Sequence, residues 1–243
     1  MKIFLAGAGW TPLWINNNIF EFNRLESYYH ISKKEIPFLK KYNAFLLDSG
    51  AFTFMNNAKR DINWDKYIED YAKFINKYDI QHFFELDIDC IVGIKEVERL
   101  RFKLETLTNK KCIPVWHKSR GKEYWLELVK NYSYVAIGGV VTREIKPAEY
   151  KYFHWFLNEA KKNNCRVHGL GFTNLKGLEE YKFYSVDSTS WLSGNRFGAV
   201  YLFNGKTMIK QNKKEGQRVK TNKVALHNFK EWVKFSRYAE VNL

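Results

Sequence analysis

The chain has 243 residues and a mass of 29.0 kDa, long for an ordinary domain and normal for one α/β barrel. Hydrophobic residues at 45% and aromatics at 17% supply a sizeable core, and no low-complexity tract or fixed-period repeat points to disorder or a solenoid. A formal charge of +14, from 40 Lys and Arg against 26 Asp and Glu, favours a polyanionic partner such as nucleic acid, although a Lys- and Asn-rich composition also raises such a count.

Short β-rich runs are expected in chain order at 3–6, 44–47, 82–86, 112–115, 134–137, 166–168, 183–186 and 199–203. Amphipathic helical spacing falls between them, at 65–75, 94–108, 122–131, 147–163 and 222–236. In the first of these, Tyr67, Ile68, Tyr71, Phe74 and Ile75 share one face. Residues 7–43 read as a loop with one or two short helices, and 204–221 as a basic excursion opened by the turn signal Asn204-Gly205. Buried strands alternating with covering helices predict an α/β fold, a (β/α)8 TIM-like barrel forming a single domain over 1–243.

The apolar run at the start is too short for a signal-peptide core, and no later segment approaches the ~20 apolar residues of a membrane span, so a cytoplasmic protein with no membrane partner is expected. Cys90, Cys112 and Cys165 lie far apart in sequence, whereas structural zinc sites pair cysteines two to four residues apart. No metal and no cofactor are expected.

Polar clusters fall at the carboxyl ends of the predicted strands, where a parallel barrel builds its active site. They include Asp48-Ser49-Gly50-Ala51-Phe52, Glu85-Leu86-Asp87-Ile88-Asp89, Trp116-His117, Ile137-Gly138-Gly139, His168-Gly169-Leu170-Gly171 and Ser185-Val186-Asp187. Any one acidic strand end is more often a helix cap or a loop anchor than a catalyst.

Their wording and order are more specific. Asp48-Ser49-Gly50-Ala51-Phe52 resembles the Asp-Ser-Gly-Gly-Phe/Tyr motif of the tRNA-guanine transglycosylases, and the later clusters follow in that family's order over about residues 44 to 203. The resemblance implies an enzyme, a pentosyltransferase that replaces guanine in nucleic acid with a free 7-deazaguanine base. It implies Asp187 as the nucleophile on the sugar C1′ and Asp48 as the acid/base. Such chemistry needs two carboxylates with different protonation tasks. By the same resemblance Asp87 accepts from the N–H edge of the base, Gly138 and Gly139 form the turn whose Gly139 N–H meets its carbonyl, and Phe52 stacks on the ring. Ser49 and Gly169 accompany these in the substrate-binding set.

Departures from the family are informative. His168 stands where the family commonly has a Met covering the base, and its alternative role is a satisfied histidine in the barrel rim. Trp116 and His117 replace a base-reading Gln. Asp89 and Cys90 read as supporting or core residues. The sequence also lacks a Cys-rich zinc subdomain after the nucleophile, which brings it nearest the short zinc-less DNA-guanine transglycosylases of phages and bacterial 7-deazaguanine systems. DNA is therefore favoured over tRNA. Arg196, Lys210, Lys213, Lys214 and Arg218 are the candidate phosphate contacts, against the plainer reading of a solvated basic loop. Trp10, Trp14 and Trp191 are offered as stacking surfaces for neighbouring bases, with core packing as the alternative. The rival functions are a nucleoside or nucleotide glycosyl hydrolase on the same barrel and a non-catalytic nucleic-acid-binding module.

Overall fold

The computed structural model describes residues 1–7, 9–56, 62–193, 198–212 and 221–243. Seven strands form one parallel sheet: β1 Lys2–Ala6, β2 Asn23–Ser27, β3 Ala44–Asp48, β4 Val115–Trp116, β5 Tyr134–Ile137, β6 Arg166–Gly169 and β7 Ser185–Ser188. Their spatial order is β3-β2-β1-β7-β6-β5-β4. The sheet curls, because both of its edges reach the same short segment. Leu47 of β3 makes a parallel bridge with Phe83, and Phe84 makes one with Ile113, just ahead of β4. The supporting bonds run from Phe84 N–H to the Leu47 carbonyl (2.9 Å) and from Ile113 N–H to the Phe83 carbonyl (2.8 Å).

Two expectations are corrected. Residues 199–203 do form a strand, β8 (Ala199–Phe203), but it pairs antiparallel with β9 (Met208–Asn212) in a separate two-stranded sheet. The side chain of Asn204 accepts from the N–H groups of Lys206 and Thr207, so the Asn204-Gly205 signal marks the hairpin turn. The strand between β1 and β3 is instead β2, within 7–43, a stretch expected to hold only loop and short helices.

β2 escapes the hydrophobic pattern because it buries charge. Arg24 and Glu35 are fully buried and Glu26 nearly so. The Arg24 guanidinium donates to Glu35 Oε1 at 2.8 Å, pairs with Glu26, reaches the Leu5 carbonyl of β1 at 3.0 Å and lies over the Trp14 ring. Glu35 also accepts from the hydroxyls of Thr11 (2.7 Å) and Tyr42 (3.0 Å). Burial opposes both carboxylates, yet Arg24 holds that of Glu35 below its ordinary range while that of Glu26 stays raised.

Helices cover the outer face: α1 Thr11–Ile15, α2 Ala51–Asn56, α3 Trp64–Tyr78, α4 Asp89–Val92, α5 Ile94–Thr108, α6 Gly121–Asn131, α7 Phe153–Lys162, α8 Leu175–Glu180 and α9 Thr221–Asn242. The helical spacing at 65–75, 94–108, 122–131 and 222–236 corresponds to α3, α5, α6 and α9, and that at 147–163 to α7 with a preceding 3-10 turn at Pro147–Tyr152. α3 shows the local logic. The Asn63 side chain accepts from Lys66 N–H to start it, Asp79 at φ 52° ends it, and Ile68, Tyr71, Ala72 and Ile75 are its buried face.

Strand alternation divides the core between the two faces of the sheet. Ile3, Leu5, Leu47, Val135 and Ile137 join the helices, while Phe4, Leu25, Leu46, Phe84, Val115 and Ala136 form a smaller cluster on the inner face. Trp14 and Trp191 are fully buried, Trp14 stacks on Phe229, and Trp10 packs edge-on against Trp191. Trp14 and Trp191 are thus core, not stacking surfaces for bases. Among the described residues no helix is long and apolar enough to cross a membrane.

Candidate active site

Parallel pairing brings every strand's carboxyl end to one end of the sheet. Asp48 is the last residue of β3, Asp187 lies in β7 opposite Phe4 of β1, and Asp87 follows the bridging pair Phe83-Phe84 by three residues. Three carboxylates predicted from sequence therefore share one end.

Asp48 is half-buried and accepts a hydrogen bond from the Gly50 N–H. Burial, and then the nearby charges of Asp87 and Asp187, push its carboxyl up to about 7, with the Gly50 N–H working in the opposite direction. Ser27 lies beside Asp48 in register. Among the described residues the buried hydroxyl oxygens of Ser27 and Ser49 have no hydrogen-bond partner. Ser49 is itself fully buried, and its carbonyl accepts from the Tyr67 hydroxyl. Phe52, in the first turn of α2 and four residues after Asp48, is 51% exposed.

Asp187 is held from below. Its Oδ1 accepts from the Gly171 N–H at 2.6 Å and lies 3.3 Å from Nε2 of His168. His168 is wholly buried, its ring in contact with those of Phe4 and Phe84. Its ring contacts the carboxylate, as a satisfied buried histidine does. Its Nδ1 stands 2.7 Å from Ser185 Oγ, which is 2.5 Å from the Tyr134 hydroxyl. Ser, His and Asp in contact can indicate acyl transfer, but here the order is inverted. Ser185 is fully buried and Asp187 is 8% exposed, so the carboxylate is the end nearer the surface.

Asp87 is held from the side. His117 Nε2 lies 3.0 Å from Asp87 Oδ2, and its Nδ1 lies 3.2 Å from Glu144 Oε2. Burial opposes a charged ring, but bonds to the two carboxylates outweigh it and raise His117 to about 10. The same contact lowers the Glu144 carboxyl, which also accepts from the Ser119 N–H at 2.8 Å. At neutral pH the imidazolium donates through both nitrogens. Gly138 and Gly139 make room for this arrangement. A Cβ on Gly138 would stand 2.6 Å from His117 Cε1, and one on Gly139, at φ +84°, 2.9 Å from Glu144 Oε2.

In the second glycine turn, Gly169 packs against Phe172 and Phe183, while Gly171, at φ +64°, supplies the N–H that reaches Asp187. The close backbone approach at this turn is made to the carboxylate. Asp89 accepts two bonds from Arg120, which also reaches the fully buried Glu85, so Asp89 belongs to a structural ion network. Lys210 is exposed on β9, next to Tyr201 in register. Arg196, Lys213, Lys214 and Arg218 lie outside the described residues.

Glu144 and Tyr134 complete the site without having been singled out for it, while Gly171 and Ser185 were named only within their clusters. Glu144 sits in an irregular stretch after the Gly138-Gly139 turn, where a lone Glu carries no pattern. Among the described residues no group of three or more His, Cys, Asp or Glu is arranged to hold a metal ion. No family model and no curated protein sequence matches the chain.

Proposed function

We propose that this protein is a base-exchange transglycosylase acting on guanine in nucleic acid, with DNA favoured over tRNA and a 7-deazaguanine derivative as the incoming base. The observation that carries this reading is the grouping of Asp48, Asp87 and Asp187 at one end of the sheet in three different environments. Asp187 is fixed by donors through Oδ1, Asp48 titrates near neutrality, and Asp87 is paired with a cationic histidine. On this reading the bridging segment at 83–84 serves as the eighth stave of a (β/α)8 barrel, and the three carboxylates sit at its mouth.

The steps follow from those environments. An Asp187 oxygen attacks C1′ as the C1′–N9 bond breaks, and the protonated Asp48 gives its proton to the leaving guanine. The resulting glycosyl ester is attacked at C1′ by N9 of the incoming base. Asp48, now ionised, takes the N9 proton, and the C1′–O bond to Asp187 breaks. No net proton is consumed. A carboxyl near pH 7 suits this exchange, being donor in one half-reaction and acceptor in the other.

Asp87, oriented by His117, presents its remaining oxygen to adjacent N–H donors, as the Watson–Crick edge of guanine offers. A paired guanine hides that edge, so the substrate is single-stranded or its nucleotide is flipped out. DNA is preferred because the cysteines are too dispersed in sequence to build the zinc subdomain of the tRNA enzymes. The net positive charge supports a polyanionic substrate. The test is incubation with labelled guanine and guanine-containing DNA or RNA. Incorporation of label supports exchange, base release without incorporation indicates a glycosyl hydrolase, and retention without chemistry indicates a binding module.

A further inference from the structure

Beneath the proposed nucleophile runs a line of buried polar groups that base exchange does not itself require. Tyr134 OH, Ser185 Oγ, the His168 ring and Asp187 Oδ1 follow one another at 2.5, 2.7 and 3.3 Å. Ser185 and His168 are fully buried, Tyr134 is nearly so, and they sit on three neighbouring strands, β5, β6 and β7. The register places His168 opposite Ser185, and the rings of Phe4 and Phe84 pack against it. Burying three polar side chains among apolar ones is costly unless each is bonded. Here each is.

The direction of the chain follows from its ends. An ionised carboxylate only accepts, so Nε2 of His168 carries the hydrogen. Burial raises the Tyr134 phenol well above its ordinary range, so it stays protonated and donates to Ser185. In a neutral ring with Nε2 protonated, Nδ1 is the acceptor, and Ser185 donates to it. With the Gly171 N–H at 2.6 Å, two donors converge on Oδ1 of Asp187, and among the described residues neither reaches Oδ2.

We infer that His168 is a positioning residue. With the Gly171 N–H it pins Oδ1 of Asp187 so that Oδ2 is the atom presented to C1′, and Ser185 and Tyr134 fix the Nε2–H tautomer that makes this possible. The inference rests on the exchange reading for its kinetic consequence, but the tautomer and its coupling to Asp187 do not. Among the described residues the attacking oxygen keeps its lone pairs free, and the two bonds to Oδ1 resist rotation of the carboxylate between half-reactions. The side chain at 168 therefore acts on turnover, not on base recognition.

The test has two arms. In the first, exchange kinetics compare wild type with His168→Phe, which keeps a ring but no donor, and His168→Gln, which restores an N–H at a similar reach. His168→Phe is expected to lower kcat by about 100-fold, the cost of an ångström-scale misplacement, with KM for the nucleic acid and for the free base unchanged. His168→Gln is expected to recover most of that loss. An unchanged kcat in folded His168→Phe, or a loss confined to KM, overturns the inference.

The second arm reads nitrogen-15 shifts of labelled histidine at pH 7, the His168 signal being the one absent from His168→Gln. Nε2 protonated and Nδ1 bare is expected, with the signal moving in Ser185→Ala and in Asp187→Asn. A protonated Nδ1, or a signal indifferent to Asp187→Asn, overturns the inference whether or not exchange is seen. If wild type exchanges no base while the shifts behave as expected, the exchange reading fails and the positioning of Asp187 stands.

Discussion

Nε2 of His117 stands 3.0 Å from Oδ2 of Asp87, so the carboxylate assigned to the base edge is oriented by a cation. The pairing raises His117 from an ordinary 6.5 to about 10. A histidine raised on folding contributes stability that is fully present below about 6.5 and is lost as pH rises through about 10. His117→Gln should therefore lower the unfolding free energy most at pH 6, by on the order of 1–3 kcal/mol for bonds to charged groups. The gap should narrow by pH 10.5. Equal destabilisation at both pH values would show that the imidazolium bonds contribute nothing.

Asp48 has the opposite character. Its carboxyl is raised by burial and by its acidic neighbours from 3.8 to about 7, so its proton stabilises the folded state, and that stabilisation is lost as pH rises through about 7. Asp48→Asn should be more stable than wild type at pH 8, by on the order of a few kcal/mol in unfolding free energy. Below pH 4 the two should converge. Turnover should fall by about 100-fold or more, as expected when an acid/base is removed. A variant no more stable at pH 8 than at pH 4 would contradict the account of Asp48.

Asp187→Asn should fold with a near-wild-type midpoint yet trap no denaturation-resistant protein–nucleic acid adduct, because an amide is a poor nucleophile. Gel electrophoresis of denatured reaction mixtures provides the measurement. Undiminished exchange by this variant would remove Asp187 from the mechanism.

Polymer binding and base choice should separate. Neutralising Lys210, Lys213, Lys214 and Arg218 together should weaken binding and flatten its salt dependence. Each lost phosphate contact removes about 0.9 from the log–log slope on duplex DNA, or about 0.7 on single strands. Asp87→Ala should impair guanine selection with the slope unchanged. A quadruple variant with the wild-type slope would place the phosphate path elsewhere.

What could be read from sequence depended on whether a residue's role was written in its neighbours. β5 was legible because Tyr134-Val135-Ala136-Ile137 is a short apolar run, and α5 because its helical period is uninterrupted. β2 was not, since Arg24 and Glu26 find partners 2 and 11 residues away or on another strand, and local alternation is blind to such pairing. Asp48, Asp87 and Asp187 were visible as acids at strand ends. Glu144 was not, because its significance comes from His117, 27 residues earlier in the chain. His168 was visible as a departure from the family motif, with base contact and a satisfied histidine both open, and its bonds to Ser185 and Asp187 could not be read from its neighbours. Which way a strand residue points depends on register, and register was set by the neighbouring β7.

The ion cluster of Arg24, Glu26 and Glu35 makes those positions poor candidates for independent variation. Changing Arg24 alone to Met strands two buried carboxylates, a loss of about 3–5 kcal/mol, whereas an apolar set of matching volume at all three positions is often neutral or better. A mutational library sampled one position at a time would report all three as immutable. One that samples them jointly would find a second allowed solution, separated from the first by a valley of misfolded intermediates.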